Sequence, residues 1–155
     1  GKNRGLEALV CTISHHERFA KQLVATGEAE QPPSYAWQIL VTDYVELFRK
    51  MKPLFERRLQ SSTYQCLTDK LSLNFYRYTI QLTVEDGVIT DVQRFEDSQD
   101  RTMRFNPTVF TQLLLGHRSR EELEMTYSDC NIRPSHKHLI DVLFPKLPSH
   151  IHSAY

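Results

Sequence analysis

Residues 70–95 read KLSLNFYRYTIQLTVEDGVITDVQRF, and their period decides the fold class. Leu71, Leu73 and Phe75 alternate with polar neighbours, as do Ile80, Leu82 and Val84. Alternation with period two puts one set of side chains on a buried face and the other on the opposite face of a strand. Three strands follow: Lys70 to Arg77, Tyr78 to Glu85 and Val88 to Phe95. Asp86-Gly87 between the second and third is a two-residue hairpin signal, because glycine takes the positive φ that such turns require. The stretch is therefore an antiparallel meander.

Downstream, a short strand over Thr102 to Phe105 is expected to rejoin the sheet. Asn106-Pro107 is an N-cap followed by proline at the first helical position, and Val109, Phe110, Leu113 and Leu114 form one buried face up to Gly116. Ser119-Arg120-Glu121-Glu122 has the capping-box form and opens a short helix through Leu123 and Met125. A further helix starts at Ser135, with Leu139, Ile140, Leu143 and Phe144 on one face, and ends at Pro145.

Upstream, Thr42-Asp43 caps a long amphipathic segment whose stripe is Tyr44, Leu47, Phe48, Met51, Leu54, Phe55 and Leu59, running to about Gln60. Pro53 interrupts it, removing a backbone donor, so the expectation is a kink or two helices. Tyr35 to Val41 has strand composition. Before it, Leu6 to Ile13 reads as a strand and Ser14-His15-His16-Glu17 as a capping box. A helix with Phe19, Ala20, Leu23 and Val24 on one face then ends at Gly27. Glu28 to Ser34, with Pro32-Pro33, is a loop and a candidate domain boundary. The expected architecture is α+β: a mainly antiparallel sheet of about five strands with helices from 42–60, 107–115 and 135–144 packed on it.

Composition bounds the function. The chain has 155 residues, 40% hydrophobic and 25% charged, with 19 Lys+Arg against 19 Asp+Glu. A chain of roughly 150 residues buries about 68–70% of its unfolded surface, enough for a core without metal or disulfide staples. Balanced charge removes the general electrostatic case for nucleic acid, which wants a basic face. No apolar run approaches the ~20 residues of a membrane span and residues 1–5 lack a signal-peptide core, so a cytoplasmic location is expected. Cys11, Cys66 and Cys130 are too widely spaced for a zinc knuckle or a redox pair and read as free thiols.

The candidates for chemistry are weak on their own. His15-His16, His136-x-His138 and His150-x-His152 are local pairs without the second half that zinc needs, and adjacent helical residues point about 100° apart. Arg49, Lys50, Lys52, Arg57 and Arg58 make one helix basic, as a solvated face would; an anionic partner or a lipid surface is the sharper alternative. Phe75, Tyr76 and Tyr78 beside Arg77 read as core packing rather than a stacking platform for single strands, since residues 85–100 carry six acids (Glu85, Asp86, Asp91, Glu96, Asp97, Asp100) against Arg94 alone. There is no phosphate loop, nucleophile elbow or His-Glu-x-x-His motif. The five glycines, Gly1, Gly5, Gly27, Gly87 and Gly116, are too scattered to build the turn before a helix that holds a pyrophosphate.

The order of elements is more informative. Trp37-x-Ile39-x-Val41-Thr42-Asp43 enters a helix, and a meander follows. Then come Phe110-x-Gln112-Leu113-Leu114-Leu115-Gly116-His117-Arg118-Ser119-x-x-Glu122-Leu123 and Leu139-Ile140-Asp141-x-Leu143-Phe144-Pro145. This series resembles the C-terminal region of GNAT-superfamily N-acetyltransferases of the Eis (enhanced intracellular survival) type. The resemblance implies that residues 35–155 are a sterol carrier protein-like domain and that residues 1–34 are the closing strand and helix of a preceding GNAT-like domain.

It also implies an acetyl transfer from acetyl-CoA to an amine by a longer protein, in which the terminal carboxylate, here that of Tyr155, is the general base. A terminal α-carboxylate is ionised at neutral pH and can be carried to an acceptor on a tail. The tail here, His150-Ile151-His152-Ser153-Ala154-Tyr155, lacks the acidic residue that family members place near a terminal aromatic. The implied partners are the preceding GNAT domains, an amine substrate and, for an oligomer, a second copy, with no nucleic acid and no membrane. No cofactor or metal is expected in this chain, and acetyl-CoA belongs to the full-length protein. The alternative is a sterol carrier-type module that encloses a lipid or other apolar ligand without catalysis; a plain dimerisation module is a third class.

Overall fold

The computed structural model describes residues 18–28, 39–96 and 103–148. The chain divides into two compact units: α1 (Arg18–Ala25) belongs to the smaller, and the larger spans Gln38–Ser149.

The larger unit is α+β. Helix α2 (Tyr44–Gln60) leads into β1 (Asp69–Asn74), β2 (Thr79–Glu85) and β3 (Val88–Phe95). Next come β4 (Met103–Arg104), α3 (Pro107–Leu114), α4 (Arg120–Thr126), β5 (Asn131–Ile132) and α5 (Lys137–Leu143). The five strands form one sheet in the order β3-β2-β1-β4-β5. The three meander strands pair antiparallel, with Leu71 opposite Leu82 and Leu82 opposite Val92. Asp86 and Gly87, at φ 51 and 75, close the β2–β3 hairpin with both central residues left-handed, the geometry that follows strand twist.

The expected fourth strand exists, but it runs parallel to β1, with Leu73 beside Met103, so the sheet is mixed. Strand β5, antiparallel to β4, was not expected. The first strand stops at Asn74 rather than Arg77. There Tyr76 turns to φ 66 and its N–H donates to Asn74 Oδ1 at 2.9 Å, which takes the chain off the sheet.

Other expectations need correction. Ile39 to Val41 is not a strand: it is irregular chain with Leu40 exposed, leading to the cap at Asp43, whose side chain accepts from Glu46 N–H. Residues 35–38 lie outside the described residues. Pro53 does not split the long segment. Helix α2 runs through it, because Phe48 and Phe55, on either side of the proline, are both fully buried on the same core and anchor the two halves together. The last helix begins as a 3-10 turn, Pro134–His136, before α5. The strand over 6–13, the capping box at 14–17, and Trp37 also lie outside the described residues.

One face of the sheet carries Leu71, Leu73, Ile80, Leu82, Val84, Ile89 and Val92, all buried. Against it sits an aromatic cluster. Phe110 of α3 is its hub, with ring centroids 5.1 Å from Phe75 and Phe105, 5.4 Å from Phe144 and 5.8 Å from Tyr44. Tyr44 donates its hydroxyl to the Pro107 carbonyl at 3.0 Å, and burial pushes that hydroxyl's pKa well up, so it stays protonated. A void in this core, lined by Phe55, Leu71, Met103, Leu139 and Phe144 among others, measures about 10 Å³.

Helix α1 is different. Its apolar residues Phe19, Leu23 and Val24 share one face, yet none of its residues is buried, and Phe19 is 63% exposed. No helix among the described residues is long and apolar enough to cross a membrane.

Candidate functional site

The two stretches that carry the resemblance, 110–123 and 139–145, come together in space. Asn106 caps α3, its Oδ1 accepting from Thr108 N–H at 3.0 Å. At the other end Gly116 takes φ 69, where an L side chain is strained. The capping box then forms as the sequence implies: Glu122 N–H donates to Ser119 Oγ at 3.2 Å, and Ser119 N–H donates to Glu122 Oε2 at 2.8 Å. The chain after α5 crosses this turn. Leu147 N–H donates to the Gly116 carbonyl at 2.9 Å, and Lys146 Nζ donates to the other Glu122 oxygen, Oε1, at 2.5 Å. Lys146 holds the Glu122 carboxyl below the usual carboxylate range, with the Ser119 N–H adding to it. His117, Arg118, Glu122, Met125, Thr126 and Lys146 line an open depression of about 440 Å³ beside this crossing.

Beneath it, α4 and α5 are tied by charge. Arg120 donates bidentately to Asp141, at 2.9 and 3.0 Å, and to Glu124, which also accepts from Lys137 Nζ at 3.0 Å. The two cations and two carboxylates balance, and Asp141 raises the Arg120 pKa further. Cys130 sits close by, and burial pushes its thiol up to about 11, with Glu124 adding to the effect. It is a protonated, inert thiol at neutral pH rather than a nucleophile.

The basic face of α2 is largely consumed by structure. Arg49 Nη2 donates to the Val92 carbonyl on the outer edge of β3 at 3.2 Å, and Glu56 accepts Ile89 N–H on the same edge at 3.0 Å. Arg58 donates to the Leu143 carbonyl at the end of α5, and Lys50 pairs with Glu46 one turn away. Of the aromatic run, Phe75 is core and Tyr78 lies half-buried under the Arg94 guanidinium, 4.1 Å from its ring centroid. Tyr76 is not core: it is exposed, covered by Arg104 and donating its hydroxyl to Asp129 at 2.7 Å.

His136 approaches Asp69 at 3.8 Å and His138 lies against the Tyr64 ring, on different partners. Among the described residues no group of three or more His, Cys, Asp or Glu could hold a metal. Cys11, His15, His16, His150, His152 and Tyr155, the candidate base, lie outside the described residues.

The Glu122–Lys146 and Arg120–Asp141 contacts had no counterpart in the sequence reading. Their only sequence signals were the capping box and opposite charges about twenty residues apart, which periodicity does not pair.

The fold and site define an α+β protein with a mixed five-stranded sheet and helices on its apolar face. Compared with known proteins, the chain matches no family profile, no curated protein and no solved structure.

Proposed function

We propose that this chain is the C-terminal part of a GNAT-type N-acetyltransferase. In this reading the Gln38–Ser149 unit packs as a sterol carrier-like module that shapes the amine site. Acetyl-CoA is held by domains upstream, and the carboxylate of Tyr155 accepts the proton as the amine attacks the thioester carbonyl. The acetyl group passes to nitrogen as the carbon–sulfur bond breaks, and coenzyme A leaves as a thiolate that then takes up the proton given up by the amine.

The observation that carries the reading is α1. A helix with a one-sided apolar stripe and no buried residue is built to pack on something, and its amphipathicity is that of a helix facing a core. A neighbouring GNAT-like domain, whose closing helix this would be, supplies such a core. The interior of the larger unit weighs against the lipid-carrier alternative. Ligand pockets run to roughly 300–1,000 Å³, whereas the void between the sheet and α5 is about 10 Å³, close to one water.

The test is direct. The gene upstream of residue 1 is expected to encode a Gly-rich turn before a helix, and the full-length product is expected to bind acetyl-CoA in calorimetry while the 155-residue chain does not. Micromolar binding by the 155-residue chain alone would overturn the assignment of the donor site to upstream domains. An apolar ligand co-purifying in native mass spectrometry would put the carrier reading ahead.

A further inference from the structure

We propose that the open depression between the α3–α4 turn and the chain after α5 is a binding site for a small carboxylate on a short apolar body, its head held by Arg118 and Lys146 and its chain by Met125. The site lies wholly within the Gln38–Ser149 unit and does not rest on the function proposed above.

The two cations are held in place by the fold. His117 N–H and Arg118 N–H both donate to the Gln112 carbonyl at the end of α3, at 2.9 and 3.2 Å, which fixes the backbone that carries them. Arg118 Nη1 donates to Thr126 Oγ1 at 3.3 Å, and that hydroxyl donates to the Glu122 carbonyl at 2.7 Å. From the other side, Leu147 N–H donates to the Gly116 carbonyl at 2.9 Å and so sets down Lys146, whose ammonium meets the Glu122 carboxylate. A guanidinium has five N–H groups and an ammonium three, and among the described residues each side chain here spends one of them. The unspent donors are therefore positioned in advance, which lowers the entropy lost on binding.

Charge and shape select the ligand. Among the lining residues Arg118 and Lys146 face a single acid, Glu122, which leaves one positive charge with His117 neutral. A carboxylate neutralises that charge and can take the Arg118 fork bidentately. A phosphate monoester, at about −1.5 to −2, would overshoot it beside the Glu122 carboxylate. Met125 is 83% exposed, an apolar side chain that the core does not use, and a thioether adapts to irregular apolar shapes. The depression's volume of about 440 Å³ falls within the roughly 300–1,000 Å³ of ligand pockets, which leaves room for a chain of several carbons.

The test is a titration of the 155-residue chain with hexanoate at neutral pH and low, matched ionic strength, followed by amide chemical shifts. Shifts are expected to centre on His117, Arg118, Met125, Thr126 and Lys146, with a Kd of about 1–10 mM. No shifts centred there up to about 50 mM hexanoate overturns the site. Hexanol, the same chain without the charge, is expected to leave these amides in place, and equal shifts with it overturn recognition of the anion. Arg118→Gln is expected to weaken hexanoate about three- to fivefold, and Glu122→Gln, which removes the acid but keeps an oxygen for the Ser119 cap, to tighten it about two- to fivefold. Opposite effects of two exposed substitutions separate charge recognition from a loss of folding, and wild-type affinity in both variants overturns the role of the cations. Met125→Ser is expected to weaken hexanoate about two- to fivefold and to leave propionate unchanged; an equal loss for both acids overturns the apolar contact. Hexyl phosphate binding about tenfold tighter than hexanoate would overturn the choice of a carboxylate.

Discussion

Replacing Gly87 with alanine tests how the meander is seated on the rest of the fold. Gly87 has φ 75, and its N–H donates to the Leu67 carbonyl at 2.8 Å, while the neighbouring Asp86 N–H donates to Thr68 Oγ1 at 3.0 Å. The hairpin turn thus rests on the loop that joins α2 to β1. An alanine Cβ would lie 2.1 Å from the Gln65 carbonyl oxygen and 3.0 Å from its carbon, and both are main-chain atoms that cannot rotate aside. Two costs add. An L-residue in the left-handed region costs about 1–2 kcal/mol, and moving the loop gives up the Gly87–Leu67 hydrogen bond, about 0.5–1.5 kcal/mol. The expected loss is about 1.5–3.5 kcal/mol, or roughly 1 M in the urea midpoint at an m-value near 2 kcal/mol/M. Gly116→Ala is the comparator. Its φ is similar at 69, but the atoms it would meet, Leu147 Cβ, Cγ and N, lie at 2.9–3.0 Å, so a shift of a few tenths of an ångström in the chain after α5 relieves them and a loss nearer the conformational cost of about 1–2 kcal/mol is expected. Equilibrium urea unfolding of the 155-residue chain, followed by circular dichroism, measures both. A Gly87→Ala midpoint within 0.2 M of wild type, or a larger loss for Gly116→Ala, would refute the reasoning.

Phe110 is fully buried and touches five other rings, so Phe110→Ala should cost about 3–5 kcal/mol in the same assay; a loss under 1 kcal/mol would show that the cluster collapses around the cavity. Arg49→Ala with Glu56→Ala should make the chain self-associate in sedimentation velocity, because it bares Ile89 N–H and the Val92 carbonyl on an eight-residue edge strand, and a sedimentation profile identical to wild type would remove the guarding role. With Cys11→Ser in place, iodoacetamide at pH 8 should label exposed Cys66 and spare Cys130, whose thiol stands near 11; labelling of both at equal rates would contradict the burial. The folded Glu122 carboxyl titrates below its ordinary value of 4.5, so its contribution is present above that pH and is lost as pH falls through the lower folded value. Leu147 exchange should therefore be pH-independent, after correction for intrinsic rates, from neutrality to about pH 5 and rise only below it.

What could be read from the sequence follows how local each contact is. Strand β3 appears with its bounds as expected, Asn106 and Ser119 cap where their side chains predict, and Asp86-Gly87 turns the chain, because each depends on residues within a few positions. Strands β4 and β5 have two residues each. Their place beside β1 depends on Leu73 meeting Met103 and Met103 meeting Ile132, pairings no short-range pattern contains. The same limit applies to charge. Arg49 and Arg58 look alike in sequence, two members of a basic helix face, yet one closes a sheet edge and the other closes the end of α5. Glu122 makes the point most sharply. The capping box names the residue and one of its oxygens, and the other oxygen's partner, Lys146, becomes visible only once α5 has been packed against α4 by Arg120 and Asp141. The candidate site is therefore a product of tertiary packing laid over local signals: those signals are local enough to find the residues, and only the fold assigns them to one another.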